Sequence, residues 1–294
     1  MEEDILSFVS YLETDRHMAR NTLVSYQRDL TQMCAYLKDQ GVEEAAKVSR
    51  TQLNSYVLWL EKNGKATTTI SRVMASMKAF FSYETKNKKI AENPSEGMKA
   101  PKIEKKAPTV LTSGEVERFL AVTQGKSVKM IRDRAMMELL YATGVRVSEI
   151  IGLQVTDLNF NVGFVTCRDG EKERAIPFGR VTREALLLYL ESARAKLLKG
   201  HESSLLFVNC SGKSMSRQGF WKIIKYYGEK AGIQADITPQ ALRHSFAVHL
   251  IRNGADVRSV QAMLGHSDMS TTHAYVTYIN HPTVREDYVN AHKG

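Results

Sequence analysis

Tyr275 stands nine residues after His266, in the segment Leu264-Gly265-His266-Ser267-Asp268-Met269-Ser270-Thr271-Thr272-His273-Ala274-Tyr275. Upstream of it lies Ala241-Leu242-Arg243-His244-Ser245-Phe246-Ala247, and much further upstream Ala142-Thr143-Gly144-Val145-Arg146-Val147-Ser148-Glu149. Two guanidines, an imidazole and a phenol, each at a turn–helix junction, form a set able to handle one phosphodiester. An arginine fork matches phosphate oxygens in pairs. A phenol can attack phosphorus and hold it covalently. Arg146 follows the Gly144 turn and precedes a short helix, Val147 to Gly152, where free backbone N–H groups add to an anion site. Glu149 can accept from the same guanidinium, or simply favour the helix dipole from the first turn. One arginine alone is ordinarily a surface residue and one tyrosine ordinarily packing; the ordered set carries the reading.

Those side chains need helix ends to hold them. A helix from Lys129 to Thr143 is expected to stop at Gly144, a C-cap glycine. Thr238-Pro239 supplies an N-cap and an N1 proline for a helix through Asn253, which carries Arg243 beside the core-facing Leu242 and Phe246. Asp256 opens a further helix that ends at Leu264-Gly265, and Ser270 is expected to cap the one bearing Tyr275. Val162 to Arg168 and Glu171 to Phe178 read as two strands joined at Asp169-Gly170, a strong hairpin signal. Alternation then places Lys172 and Arg174 on one face of the second strand, with Glu171 and Glu173 on the other. Thr112 or Ser113 starts a helix to Val122, Thr182 one to Leu198, and Ser216 one with Trp221, Ile224 and Tyr227. Leu205 to Val208 reads as a short strand. Beyond His281-Pro282, Val284, Tyr288 and Ala291 recur at helical spacing and predict a short C-terminal helix.

The first hundred residues read as a helical bundle. An opening helix spans Asp4 to Glu13. Leu23, Tyr26, Leu30, Met33 and Leu37 follow a start at Asn21 or Thr22 and stop before Gly41. Ser49 caps a helix with Leu53, Val57 and Leu60, and Thr67 or Thr68 begins one with Ile70, Val73, Met77, Phe80 and Phe81 on a single face. These stripes read as core. Asn93-Pro94-Ser95-Glu96-Gly97 breaks the pattern, and the lysine-rich stretch from Pro101 to Pro108 has no apolar period, so the region reads as an exposed linker.

The chain has 294 residues, enough for two domains, and 43% of them are hydrophobic. Its formal charge of +9 suits a polyanionic partner, and both halves are mildly basic. No run is long enough to span a bilayer, and Met1-Glu2-Glu3-Asp4 is acidic rather than signal-like. Cys34, Cys167 and Cys210 are too scattered for a disulfide framework or a metal cluster, which leads us to expect a cytoplasmic protein with no metal. No phosphate-cradling glycine loop of the Walker type occurs, so neither a nucleotide nor any other cofactor is expected.

The set Thr143-Gly144-x-Arg146-x-Ser148-Glu149, Arg243, Leu264-Gly265-His266 and Tyr275 resembles the signature of the tyrosine recombinase (phage integrase) family, most closely its Xer branch. Arg20-Asn21-Thr22 with the Tyr26 helix, and Asn93-Pro94, extend the likeness over nearly the whole chain. The resemblance implies a mainly α protein with a small β component: an N-terminal four-helix, SAM-like core-binding domain (1–92), a linker (93–110) and a mixed α/β catalytic domain (111–294), closing as a clamp on duplex DNA. It implies a site-specific recombinase in which Tyr275 attacks the scissile phosphate to give a 3′-phosphotyrosine and a free 5′-hydroxyl. Arg146, Arg243 and His266 would stabilise charge on the phosphate oxygens. Its other expected features are double-stranded DNA as partner, a homo- or hetero-tetramer on paired sites, a paralogous recombinase as possible co-subunit, and no cofactor. The cellular role it suggests is resolution of chromosome or plasmid dimers; integration of a mobile element, a catalytically impaired DNA-binding role and a topoisomerase-like activity are the alternatives.

Two of the six expected groups depart from the family pattern. Gln240 stands where the family's second arginine box, His-x-x-Arg, has histidine; it can bond a phosphate oxygen but cannot take a proton. Aspartate stands where the hairpin string Gly-Lys-Gly-x-Lys-x-Arg has its first lysine, since this chain reads Arg168-Asp169-Gly170-Glu171-Lys172-Glu173-Arg174. Lys172 is then the expected proton donor, with Arg168 the alternative. His244, turned about 100° from Arg243 on the helix, is expected to have a structural hydrogen-bonding role.

Overall fold

Ser49 accepts from the backbone N–H of Gln52 while the Gln52 side chain accepts from Ser49, a reciprocal cap that starts α3 (Arg50–Lys62) where the sequence places it. Thr112 and Glu115 repeat the device at α5 (Ser113–Ala121). Ser127, Ser216, Thr238 and Asp256 also cap helix starts through their side chains in the computed structural model, which describes residues 1–103, 107–170 and 172–280. The chain divides into two units, Met1–Lys106 and Ala107–Gly294. The expected C-terminal helix around Val284, Tyr288 and Ala291 lies outside the described residues.

The first unit contains α1 (Glu2–Thr14), α2 (Arg20–Asp39), α3 (Arg50–Lys62) and α4 (Thr67–Lys86). Leu30, Met33, Leu37, Leu53, Phe80 and Phe81 are wholly buried, so the apolar stripes of the sequence meet at one core. Phe8 of α1 packs edge-on against Phe80 at 5.7 Å. One ion pair is built into this core: Arg72 of α4 donates two bonds of 2.8 Å to the buried Asp29 carboxylate of α2. The stretch read as the start of a linker is in part folded here. Ser95 and Met98 are buried, Asn93 accepts from the Ser95 hydroxyl, and Arg50 donates to the Glu96 carbonyl. A Pro-punctuated turn with its own side-chain bonds looks like a linker in composition but packs as structure.

The second unit begins with α5 (Ser113–Ala121), α6 (Val128–Thr143) and α7 (Val147–Gly152). An antiparallel sheet in the order β1 (Leu158–Asn159), β2 (Phe164–Asp169) and β3 (Lys172–Pro177) follows. Then come α8 (Arg180–Tyr189), which runs through one π-helical turn into α9 (Ala195–Leu198), α10 (Arg217–Lys230), α11 (Pro239–Arg252), α12 (Val257–Leu264) and α13 (Met269–Asn280). Its core joins helices to the sheet through Phe119, Leu139, Ile150, Val165, Ile176 and Leu186. Buried within the fold, Arg132 pairs with Asp133 at 2.6 Å, and the Tyr227 hydroxyl donates to the same carboxylate at 3.1 Å.

Several details differ from the sequence reading: the helix expected from Thr182 begins at Arg180, and the strand expected from Val162 begins at Phe164. Asp169 pairs with Lys172, so the ladder runs one residue further than expected and the reversal begins at Gly170. Leu205 to Val208 forms isolated bridges rather than a strand, because side chains take its carbonyls: Arg194 bonds Leu205 at 2.7 Å and the Tyr189 hydroxyl bonds Leu206 at 3.0 Å. The helix bearing Tyr275 starts at Met269, and Asp268, not Ser270, accepts at its entrance, from the Ser270 N–H and hydroxyl.

Candidate active site

Gly144 ends α6 in the left-handed conformation, φ +59°, and a Cβ there would sit 2.3 Å from the Phe246 ring of α11. Only glycine allows both the turn and the close approach. That approach lets Arg243, on the same helix as Phe246, donate to the Gly144 carbonyl. The other arm of Arg243 donates to the Leu264 carbonyl at 2.6 Å. Both acceptors belong to helix C-termini, the negative ends of α6 and α12, which favour a cation. Arg243 is 3% exposed, and among the described residues no carboxylate pairs with it directly. Burial, then the repulsion of Arg146, lowers it to about 10, so it stays charged at neutral pH.

Arg146 caps α7. Its Nη1 donates to Glu149 at 2.9 Å and to Asp169 at 3.2 Å, and its Nη2 to the Gly265 carbonyl at 2.6 Å. Gly265 has φ +62°, and a Cβ there would meet the Arg174 guanidinium at 3.1 Å. Arg174 itself binds Glu149 through two bonds of 2.8 Å and the Met263 carbonyl through another of 2.8 Å. Burial alone would raise the Glu149 carboxyl, but the bonds from Arg174 and Arg146 outweigh it and hold it below the usual range. Glu149 is therefore a fixed anion between two guanidinium groups. The segment 263–265 presents three successive carbonyls to three arginines, one each.

Tyr275, on α13, is 3% exposed. Its hydroxyl lies 2.7 Å from His244 Nδ1, and its ring stacks on that of His266 at 6.4 Å. Burial raises the phenol above its ordinary value, with Arg243 opposing in part. His266 Nδ1 contacts the buried Thr272 hydroxyl at 2.9 Å. Burial, reinforced by Arg243 and Arg146, pushes His266 down to about 4. It is neutral at physiological pH, a hydrogen-bond donor rather than an acid.

Arg146, Arg243, His266 and Tyr275 thus gather around the segment 263–266. Lys172 opens β3 and is exposed; Gln240 is exposed in the first turn of α11, three residues before Arg243. Neither bonds the other four. Arg168 is engaged by Asp157 and by Glu173, at 2.7 Å for the latter. Three features were missed in sequence. His244, expected to make a structural hydrogen bond, makes it to the Tyr275 hydroxyl: the same 100° that turns it from Arg243 aims it at α13. Arg174 shares Glu149 with Arg146 across 25 residues. Asp169 touches Arg146. Each is a contact between distant elements, for which no local periodicity exists; the only trace was the placement of Arg174 on a defined strand face.

Among the described residues no three His, Cys, Asp or Glu side chains gather as a metal site, and no helix is long and apolar enough to cross a membrane. The family model described as "Phage integrase family" matches residues 109–280, and "Phage integrase, N-terminal SAM-like domain" matches residues 5–88. The chain is 42% identical to "Tyrosine recombinase XerD" of Oceanobacillus iheyensis over 295 residues, covering 99% of each. It is 40% identical to "Tyrosine recombinase XerD" of Halalkalibacterium halodurans over 294 residues, covering 99% of this chain and 98% of that one. Among solved structures, XerA recombinase is 25% identical with a TM-score of 0.54, covering 99% of each chain. XerH bound to a palindromic difH substrate, a post-cleavage complex, has a TM-score of 0.73 at 19% identity, covering 97% of this chain and 94% of that one, a likeness of fold.

Proposed function

Because the chain belongs to the phage integrase family, among its tyrosine recombinases, we propose that it cuts and rejoins duplex DNA at a specific site through Tyr275. The observation that carries this assignment is Arg243: a buried guanidinium with no directly paired carboxylate among the described residues, in the same cluster as Arg146 and Tyr275. Its N–H groups reach backbone carbonyls at two helix C-termini, which hold the cation in place without neutralising its full charge. A phosphodiester is an anion of fitting shape, and the arginine forks match its oxygens.

In the reaction, Arg146 and Arg243 bind the non-bridging oxygens of the scissile phosphate. The phenol oxygen of Tyr275 attacks phosphorus, the bond to the 5′-oxygen breaks, and a 3′-phosphotyrosine remains. Charge rises on the non-bridging oxygens as phosphorus becomes five-coordinate, and the fixed arginines stabilise that state more than the ground state. His266, neutral, donates a hydrogen bond to the same oxygens. Gln240 supplies another from the first turn of α11. The leaving 5′-oxygen takes its proton from Lys172, whose flexible stem can reach from the start of β3. Arg168 is a poor alternative, since a guanidinium hardly gives up a proton and this one is held by two carboxylates.

We propose further that the chain works in the cytoplasm to resolve chromosome or plasmid dimers, as a tetramer of this chain alone or with a paralogue on paired sites; its likeness to proteins named tyrosine recombinase XerD supports the recombinase part of this reading. A second reading has one observation in its favour. Asp169 occupies one arm of Arg146 where an incoming phosphate would bind, which suits a chain that binds DNA and cleaves it poorly. Incubation with a nicked suicide duplex separates the two. An adduct that survives denaturation supports the recombinase, and site-specific binding with no adduct supports the impaired binder.

A further inference from the structure

His244 Nδ1 lies 2.7 Å from the Tyr275 hydroxyl oxygen, with ring centroids 5.4 Å apart and planes tilted by 60°. The reaction written above gives this imidazole nothing to do, although it touches the attacking atom. It also leaves the phenolic proton without a destination. A buried phenol whose ionisation is pushed up is a weak nucleophile at neutral pH and needs a base. Gln240 cannot be that base, since an amide does not accept a proton in this range. His266 faces the Tyr275 ring rather than its hydroxyl and bonds Thr272 through Nδ1.

We infer that His244 is the general base of the reaction, taking the Tyr275 proton at Nδ1. The inference rests on Tyr275 being the nucleophile. The Nε2–H tautomer leaves a lone pair on Nδ1, and the phenol donates to it along the existing 2.7 Å contact. As the bond from the phenol oxygen to phosphorus forms, its O–H bond breaks and the proton passes to Nδ1. The bond from phosphorus to the 5′-oxygen breaks and that oxygen is protonated from the opposite side. On religation the steps run in reverse: His244 returns its proton to the departing phenol oxygen. Burial, and then the adjacent Arg243, hold the imidazole below its ordinary 6.5, so it is unprotonated and ready to accept at neutral pH. Phosphate bound on Arg243 would offset that cation and strengthen the base when substrate arrives. The position next to Arg243 on α11 thus serves both reacting partners, one residue holding the phosphate and the next the nucleophile.

The test measures single-turnover cleavage of a nicked suicide duplex by the full chain and by His244→Asn, which keeps an acceptor near Nδ1 but takes no proton. A second substrate carries a 3′-p-nitrophenyl phosphate, whose leaving group needs neither Tyr275 nor its base; a 5′-hydroxyl strand displaces it, giving its proton to the group that protonates the 5′-oxygen in cleavage. We expect His244→Asn to bind DNA as the parent does, cleave about a hundredfold slower or worse, and ligate the p-nitrophenyl substrate at the parent rate, as Tyr275→Phe does. Imidazole should restore cleavage to His244→Ala. Cleavage within about threefold of the parent overturns the inference. So does an equal loss on both substrates, which would mark a merely structural role, and so does His244→Ala staying inert to imidazole. If the parent forms no adduct, or Tyr275→Phe keeps it, the nucleophile assignment fails first and His244 falls with it.

Discussion

The charge at the site is finely divided among single residues. Arg146 gives Nη1 to Glu149 and Asp169 together, yet Asp169 is 67% exposed and Glu149 only 6%. A solvent-exposed pair of the Asp169 kind is worth at most about 1 kcal/mol, so its removal should free Arg146 at little structural cost. Asp169→Asn should therefore speed cleavage by up to about fivefold, read as adduct formed per minute at saturating DNA. Slower cleavage would mean that Asp169 helps to place Arg146. Lys172 is tested through its leaving group. With sulfur in place of the bridging 5′-oxygen no acid is needed, so Lys172→Ala should cleave ordinary DNA slowly and the sulfur substrate normally. An equal defect on both, or a defect that falls on Arg168→Ala instead, would remove Lys172 from that role. His266 has its own signature in stability. Its value in the fold, about 4, lies below its ordinary 6.5, so between these limits the unfolded chain binds the extra proton. Its contribution is present in full above pH 6.5 and is lost as pH falls toward 4. Replacing it in His266→Asn should flatten the fall in melting temperature across that window, and an unchanged slope would contradict the assigned burial.

Helix ends do most of the positioning. Gly144→Ala would force a non-glycine residue into the left-handed region, at about 1–2 kcal/mol, and drive its Cβ into Phe246. We expect a loss of roughly 2 kcal/mol or more of stability, with cleavage reduced further because Arg243 and Arg146 both hang on that turn. Calorimetry and adduct assays on the same variant check both parts. Asp133→Ala, remote from the site, should cost about 3–5 kcal/mol by leaving Arg132 charged and unpaired in the core. At this scale the sequence was largely legible. Ser49, Thr112, Thr238, Asp256 and the two glycines at 144 and 265 announce their helices because a cap is a bond between residues three or four apart. The hairpin register slipped by one, since Asp169-Gly170 reads equally as a loop or as the last pair plus a loop residue. The arginine, histidine and tyrosine of the site were legible as motif strings. His244 against Tyr275, Arg174 against Glu149 and Asp169 against Arg146 were not, because they form only when α11, α13, β2, β3 and α7 pack.

Over the whole molecule, a net charge of +9 spread through both halves predicts affinity dominated by phosphate contacts. For six to ten such contacts, DNA binding should fall by roughly 10³–10⁵ between 50 and 200 mM salt, and a flat salt response would argue against a duplex as the partner. The central claim is narrower: that this chain becomes covalently joined to DNA through one phenol. Tyr278 and Tyr288 are the nearby competitors, and neither has the spacing of Tyr275 from His266. The most direct measurement traps the adduct on a nicked suicide duplex, digests it and reads by mass spectrometry which peptide carries the nucleotide. The account predicts modification of Tyr275 alone, and loss of the adduct in Tyr275→Phe with DNA affinity nearly unchanged. A nucleotide on any other residue, or an undiminished adduct in that variant, would contradict it.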